Sequence, residues 1–289
     1  MKLSIALRLS RISNLPTVWT NVLAGVALAG GGWSMASIIL VLLAVSLFYT
    51  GGMFLNDAFD REFDARMRPD RPIPAGHVSA ASVFGAGFGM LVLGQAALLA
   101  TGMMPWSTGW ATAFAGLFLC AAIILYDLHH KNNPMSPLVM GLCRMLVYVI
   151  AALAVAATPP IDVYAGAGVL LCYLIGLTYA AKNEHLNRLD HAWPLALLAV
   201  PVLFGIWLAF EQPLVLVPLV LLCAWAGIAV HRLLRRAEGD VPAAVVSLLA
   251  GISLVDAVIL AGYGHSSQML LAVAAFALTL RLQRWVSGT

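Results

Sequence analysis

Asn56, Asp60 and Asp64 recur every four residues. On an α-helix, at ~100° per residue, such positions drift by only about 40° per step, so the three share one face and Asp57 lies about 100° off it. Carboxylates this close repel one another unless a cation or an arginine neutralises them. Hard oxygen ligands with room for water suit magnesium, which binds through one or two carboxylates plus the phosphates of a substrate. The plainer alternative is a solvated helix end in which Arg61 and Arg66 pair with the acids. Directly downstream runs Arg66-Met67-Arg68-Pro69-Asp70-Arg71-Pro72-Ile73-Pro74-Ala75-Gly76. Its prolines forbid a continued helix and stiffen the loop. Arg66, Arg68 and Arg71 are then fixed donors beside the acidic face, and the guanidinium fork matches phosphate oxygens. Acids beside rigid arginines describe a diphosphate site. A simple basic anchor loop would explain the arginines but neither the prolines nor the acids.

The elements that must position these residues are membrane helices. The chain has 289 residues, 62% of them hydrophobic and 10% charged, against about 25% charged in soluble domains. At ~20 residues per span there is room for ten or so helices and little else. Apolar runs predict helices at 15–31, 36–58, 80–101, 105–126, 137–157, 163–181, 192–210, 213–230, 242–262 and 267–282. The first is read as a span and not a cleaved leader, since no small-residue cleavage site follows it. Every Lys and Arg except Arg144 falls before the first helix, in alternate connections or, for Arg281 and Arg284, at the end of the last segment, where they join the same face only if that segment spans. The positive-inside rule makes that face cytoplasmic, which favours ten helices over nine, with both termini inside. No linker divides the chain, so residues 1–289 are read as one all-α, polytopic membrane domain. A net charge of +3, unevenly placed, argues against nucleic acid. Cys120, Cys143, Cys172 and Cys223 lie separately in apolar runs, which makes disulfides and a zinc site improbable.

The pattern NDxxDxxxD followed by RPxRPIPxG resembles the first signature of the UbiA-type intramembrane prenyltransferases, with Asn56, Asp60, Asp64, Arg68, Arg71 and Gly76 matching position for position. Arg11, Asn14 and Asn21-Val22-Leu23-Ala24-Gly25 resemble that family's first helix, and Tyr126 with Lys131 is similar to its tyrosine–lysine element. The segment from Tyr126 to Arg144 looks closest to the EboC-like branch. The resemblance covers roughly residues 5–200. It implies nine or ten helices in a ring around a central cavity, open sideways to lipid, in which two acidic motifs hold magnesium ions that clamp a polyprenyl diphosphate. It also implies a bacterial inner membrane and an active site facing the cytoplasm.

On this resemblance Asn56, Asp60 and Asp64 hold one magnesium, with Asp60, Asp64, Lys131 and Arg144 carrying catalysis. Arg68, Arg71, Lys131 and Arg144 bind the diphosphate. The second motif is thinned: in Lys182-Asn183-Glu184-His185-Leu186-Asn187-Arg188-Leu189-Asp190 the ligands are Asn187 and Asp190, with Glu184, although Glu184 could equally pair with Arg188 at i+4. Arg144 lies about two turns inside its helix, where a charge must face a cavity or a partner. Asp256, an intramembrane acid with Ser253 at i−3, is read as structural. The acceptor is either a small polar, hydroxyl-rich molecule of cyclitol type, favoured by the segment around His130, or an aromatic ring stacked on Tyr126 and Tyr148. A transporter or flippase that keeps the fold without catalysis is the competing class.

Overall fold

A computed structural model describes residues 1–30, 34–104, 107–131, 133–182, 192–286 and 288. A short helix α1 (Leu3–Ser10) leads through a 3-10 turn (Ile12–Asn14) into α2 (Leu15–Ala29). There follow α3 (Met35–Phe59), α4 (Arg61–Met67), α5 (Ala80–Gly102), α6 (Ala111–His129), α7 (Ser136–Leu153) and α8 (Ile161–Ala181). The chain closes with α9 (Val200–Ala209), α10 (Leu216–Arg235), α11 (Asp240–Gly262) and α12 (Ser266–Gln283). Eight of these segments are long and apolar enough to cross a membrane, while Trp193–Ala209 is apolar but shorter. All ten segments read from hydropathy are helical, but α12 (Ser266–Gln283) is not among those long and apolar enough to cross. The fourth begins later than expected, at Ala111, and reaches His129.

The seventh segment is not one regular helix. It is 3-10 from Trp193 to Ala199 and α-helical from Val200 to Ala209. Pro194 and Pro201 account for this, since neither has an amide to donate into an i→i−4 ladder.

Aliphatic and aromatic side chains such as Ile39, Leu43, Val92, Leu93, Phe114 and Phe118 face outward, as lipid-facing residues do. Between helices the contacts depend on small residues, because apolar surface alone does not drive association in lipid. A Cβ on Gly51 would come within 2.9 Å of the Gly87 carbonyl oxygen, so α3 and α5 touch backbone to backbone. A Cβ on Gly25 would lie 2.5 Å from the Tyr148 carbonyl oxygen, which sets α2 against α7. α11 is the most enclosed helix, with every residue from Leu248 to Ala261 buried except Leu249. It packs on α2, α8, α10 and α12.

α2, α3, α6, α7, α8 and α11 surround a cavity of about 470 Å³. α12 returns antiparallel to α11, which brings Gln283 to Asn14: Gln283 Nε2 donates to Asn14 Oδ1 at 3.0 Å. Asn14 Nδ2 in turn donates to the Gly288 carbonyl oxygen at 2.8 Å. Gln283 and Gly288 therefore meet Asn14 at the end of the bundle that carries the acids and arginines.

Candidate active site

The acid ladder is helical throughout. Asp60 N–H donates to the Asn56 carbonyl at 2.9 Å, and Asp64 N–H to the Asp60 carbonyl at 2.8 Å. Asn56, Asp60 and Asp64 therefore share a face across the α3–α4 junction. α4 ends at Met67, just before the prolines. The loop beyond is a series of tight turns, with Gly76 at φ +73°, and it is pinned where Ile73 packs beside Leu9, Phe54, Ala58 and Val83.

The plainer alternative for the ladder does not hold. Arg61 pairs with exposed Glu62 at 3.3 Å, and Arg66 Nε donates to the Glu62 carbonyl oxygen. The ladder acids have other partners. Lys131 Nζ lies 2.8 Å from Asp60 Oδ2, and His130 Nε2 lies 3.4 Å from the same oxygen. Burial alone would raise the Asp60 pKa, but the hydrogen bonds and charges of His130 and Lys131 outweigh it and hold the carboxyl below its ordinary range. Asp64 shows the opposite balance: burial, with repulsion from Asp60 and Asp57, exceeds the pull of Arg71 and raises its pKa.

Asp57, off the ladder face, is an anchor for arginines. Its Oδ1 accepts from Arg71 Nη1 at 2.6 Å and from Arg11 Nη2 at 3.1 Å. Arg71 Nε is also 3.9 Å from Asp64 Oδ2. Arg11 has φ +43°, a left-handed conformation that costs a non-glycine residue about 1–2 kcal/mol. Tyr49 secures that turn by donating its hydroxyl to the Arg11 carbonyl oxygen at 3.1 Å.

Asn56, Asp60, Arg68, Arg71, Tyr126, His130, Lys131 and Arg144, all expected as site residues, line the cavity. Two others do not. Asp64 is buried beside Arg71 and is not on the cavity wall. Tyr148, expected to stack an acceptor, is fully buried and donates its hydroxyl to Asp256. That expectation is corrected: Tyr148 serves the helix interface. Tyr126 does reach the wall, but its ring is already stacked on His130, with centroids 4.9 Å apart at 14°. Asp256 is structural as expected, although its partners include Asn21 Nδ2 at 2.8 Å, Tyr148 and Thr20, with Ser253 bonded to Thr20 and not to Asp256. Arg144 both faces the cavity and has partners, donating to Asn21 Oδ1 at 3.0 Å and Thr17 Oγ1 at 3.1 Å. Glu184, Asn187 and Asp190 lie outside the described residues.

Two wall residues were missed as site members, Asp127 and Arg11, and Lys182, at the start of the second motif, also lines the wall. Asp127 counts in the sequence as one more charge in a connection. Its place in the last turn of an apolar helix, four residues before Lys131, was the available signal. Six cationic side chains (Arg11, Arg68, Arg71, Lys131, Arg144 and Lys182) but only Asp60 and Asp127 among carboxylates line the described wall. That excess suits an anion of several charges. The rest of the wall is aliphatic and aromatic, including Val45, Phe48, Leu119, Ile123, Leu174 and Leu249. Among the described residues no three His, Cys, Asp or Glu side chains converge as a ready-made metal cage. The oxygens of Asn56, Asp60 and Asp127 nevertheless fit a hard cation that keeps few protein ligands and takes the rest from phosphate and water.

Comparison with known proteins agrees with this architecture. The model of the UbiA prenyltransferase family matches residues 18–252. A digeranylgeranylglyceryl phosphate synthase of Methanoculleus marisnigri is 38% identical over 81 residues, 28% of this chain and 29% of that protein. The chain is matched over less than half the length of each such relative, from 17% to 46%. A solved digeranylgeranylglyceryl phosphate synthase superposes with a TM-score of 0.61 at 15% identity, over 94% of this chain and 99% of the other. A UbiA homologue from Archaeoglobus fulgidus, bound to DMAPP and Mg2+, does so with a TM-score of 0.54 at 14% identity, over 97% and 99%. With four-fifths of its length matched and its ring of helices shared, the chain belongs to the UbiA prenyltransferase family.

Proposed function

We propose that residues 1–289 form one intramembrane prenyltransferase domain. It transfers a polyprenyl group from polyprenyl diphosphate to the hydroxyl of a small polar acceptor, with Mg2+ as cofactor, and releases diphosphate. One observation carries the reading: a single cavity joins a cation-rich mouth, with Asn56 and Asp60 on its wall, to an aliphatic chamber. The A. fulgidus homologue, solved with Mg2+ and either DMAPP or GPP, lends the ligand class.

Asn56 and Asp60 would hold the first magnesium, with Asp64 behind them beside Arg71, and Asn187 and Asp190 with Glu184 a second. Bound magnesium neutralises diphosphate oxygens and so eases their departure. Arg68, Arg71 and Lys131 offer the diphosphate their donors, and Arg144 adds a cation deeper in the same space. Since Arg71 and Lys131 rest on Asp57 and Asp60, the cations are positioned before substrate arrives and need little reorganisation. The allylic C–O bond breaks with its electron pair on the diphosphate. Aliphatic walls keep the remaining carbocation from water until the acceptor oxygen bonds to it, and the acceptor proton leaves with the released diphosphate.

A polar acceptor is favoured over an aromatic one because both expected stacking platforms are taken: His130 covers Tyr126, and Tyr148 is off the wall. Within that class a glycerol phosphate type is favoured over a cyclitol, because the relatives' names contain glyceryl phosphate. The positive-inside rule places the site at the cytoplasmic face. Mass spectrometry of lipids from cells expressing the protein or its Asp60→Asn variant tests the reading. A prenylated polyol or polyol phosphate seen only with the wild type is expected. A prenylated aromatic ring would overturn the acceptor, and no difference between the two would overturn the activity.

A further inference from the structure

Asp127 is the buried carboxylate that the architecture leaves half satisfied. It sits in the last turn of α6, is 5% exposed and lines the cavity. Its Oδ1 accepts from Asn56 Nδ2 at 3.2 Å. Its Oδ2 is out of solvent and has no hydrogen-bond partner among the described residues, a condition shared by no other buried carboxylate oxygen there. Asp57, Asp240 and Asp256 are each bonded to arginine, amide or hydroxyl donors, and Asp64 faces Arg71. A buried polar oxygen without a partner is costly, and an unsatisfied group of this kind calls for an explanation such as an ion that binds there.

The ladder itself is short of free charge at the wall. Asn56 is neutral, Asp60 already meets Lys131 and His130, and Asp64 is turned to Arg71. We propose that Asp127 is a further magnesium ligand, with Oδ2 supplying a carboxylate oxygen to the metal while Oδ1 orients Asn56. The bond between the two uses the amide nitrogen of Asn56 and leaves its carbonyl oxygen, the atom that binds metal, unspent by Asp127. Second contacts of this kind ordinarily aim a ligand. Here one carboxylate would do both jobs, from a helix distant in sequence from the ladder. The inference rests on the magnesium-dependent reading above and names a ligand that the acid ladder does not contain.

The substitution Asp127→Asn separates the two roles. It keeps an oxygen able to accept from Asn56 and removes the charge. Mn2+, as a probe for the magnesium site, is titrated by electron paramagnetic resonance into the full chain in nanodiscs with inorganic diphosphate. The proteins compared are the wild type, Asp60→Asn, Asp127→Asn and Asp127→Glu. About tenfold or greater loss of Mn2+ affinity is expected in Asp127→Asn, with part of it restored in Asp127→Glu. Because Oδ2 has nothing to lose in the metal-free protein, the metal-free melting temperature of Asp127→Asn should equal or exceed that of the wild type. Unchanged Mn2+ affinity in Asp127→Asn, beside a loss in Asp60→Asn, overturns the proposal and leaves the magnesium reading intact. A lowered melting temperature or a failure to fold also overturns it, by revealing a structural partner for Oδ2. If the wild type binds no Mn2+ with diphosphate, the magnesium reading itself falls and the ligand with it.

Discussion

The carboxylates at the cavity mouth differ less in position than in what each is bonded to. Asp57 ties down Arg11 and Arg71, Asp60 meets Lys131 and His130, and Asp127 meets Asn56. Asp60→Asn should therefore lower turnover on the order of a hundredfold, the scale for removing one preorganised electrostatic group, as measured by diphosphate release in purified protein. Tyr148→Phe should behave differently. It strips Asp256 of one of its close partners in a fully buried setting, at a cost of ~1–3 kcal/mol, without changing KM for the acceptor. Thermal melting and steady-state kinetics read the two effects separately, and a raised KM with unchanged melting would return Tyr148 to the site. The ladder was legible because a four-residue repeat on a helix has one geometric meaning. Tyr148 was not. It lies one turn beyond Arg144, on nearly the same face, and only the packing of α2 and α11 decides that Arg144 reaches the cavity while Tyr148 is sealed behind it. Asp127 was hidden for a related reason, since its significance depends on Asn56, 71 positions away.

Helices succeed as elements here where small residues permit contact and prolines set limits. A Cβ at Gly25 would press on the Tyr148 carbonyl oxygen at 2.5 Å and on the Ala151 side chain at 2.9 Å, whereas at Gly85 it would meet nothing within 4 Å. Gly25→Ala should thus destabilise the protein by about 1–3 kcal/mol through overpacking. Gly85→Ala should be neutral or stabilising by up to ~1 kcal/mol through helix propensity. Melting curves of the two variants check this, and equal losses would contradict the packing of α2 on α7. The helices themselves were legible from apolar runs bounded by charge or by glycine and proline. Their ends were less so. Where hydropathy alone reads one helix over 192–210, Pro194 and Pro201 break the hydrogen-bond ladder and leave a 3-10 stretch before α9.

At the scale of the molecule, charge parity and packing agree. α12 brings Gln283 back to Asn14, so Gln283 and the Arg68–Arg71 loop lie at one end of the bundle. A reporter fused after Thr289 and a cysteine label in that loop should report the same compartment, and opposite compartments would remove one crossing. That shared end is where the cations and acids gather, above a chamber of aliphatic walls, and the proposed reaction, in which a charged group leaves while a lipidic one stays, uses both. Diphosphate release tests this most directly. Purified protein in nanodiscs is supplied with a long-chain prenyl diphosphate, with and without magnesium and with and without a polyol phosphate acceptor. Release should require both magnesium and acceptor and should be lost in Asp60→Asn. Release that continues undiminished under chelation, or in Asp60→Asn, would contradict the account.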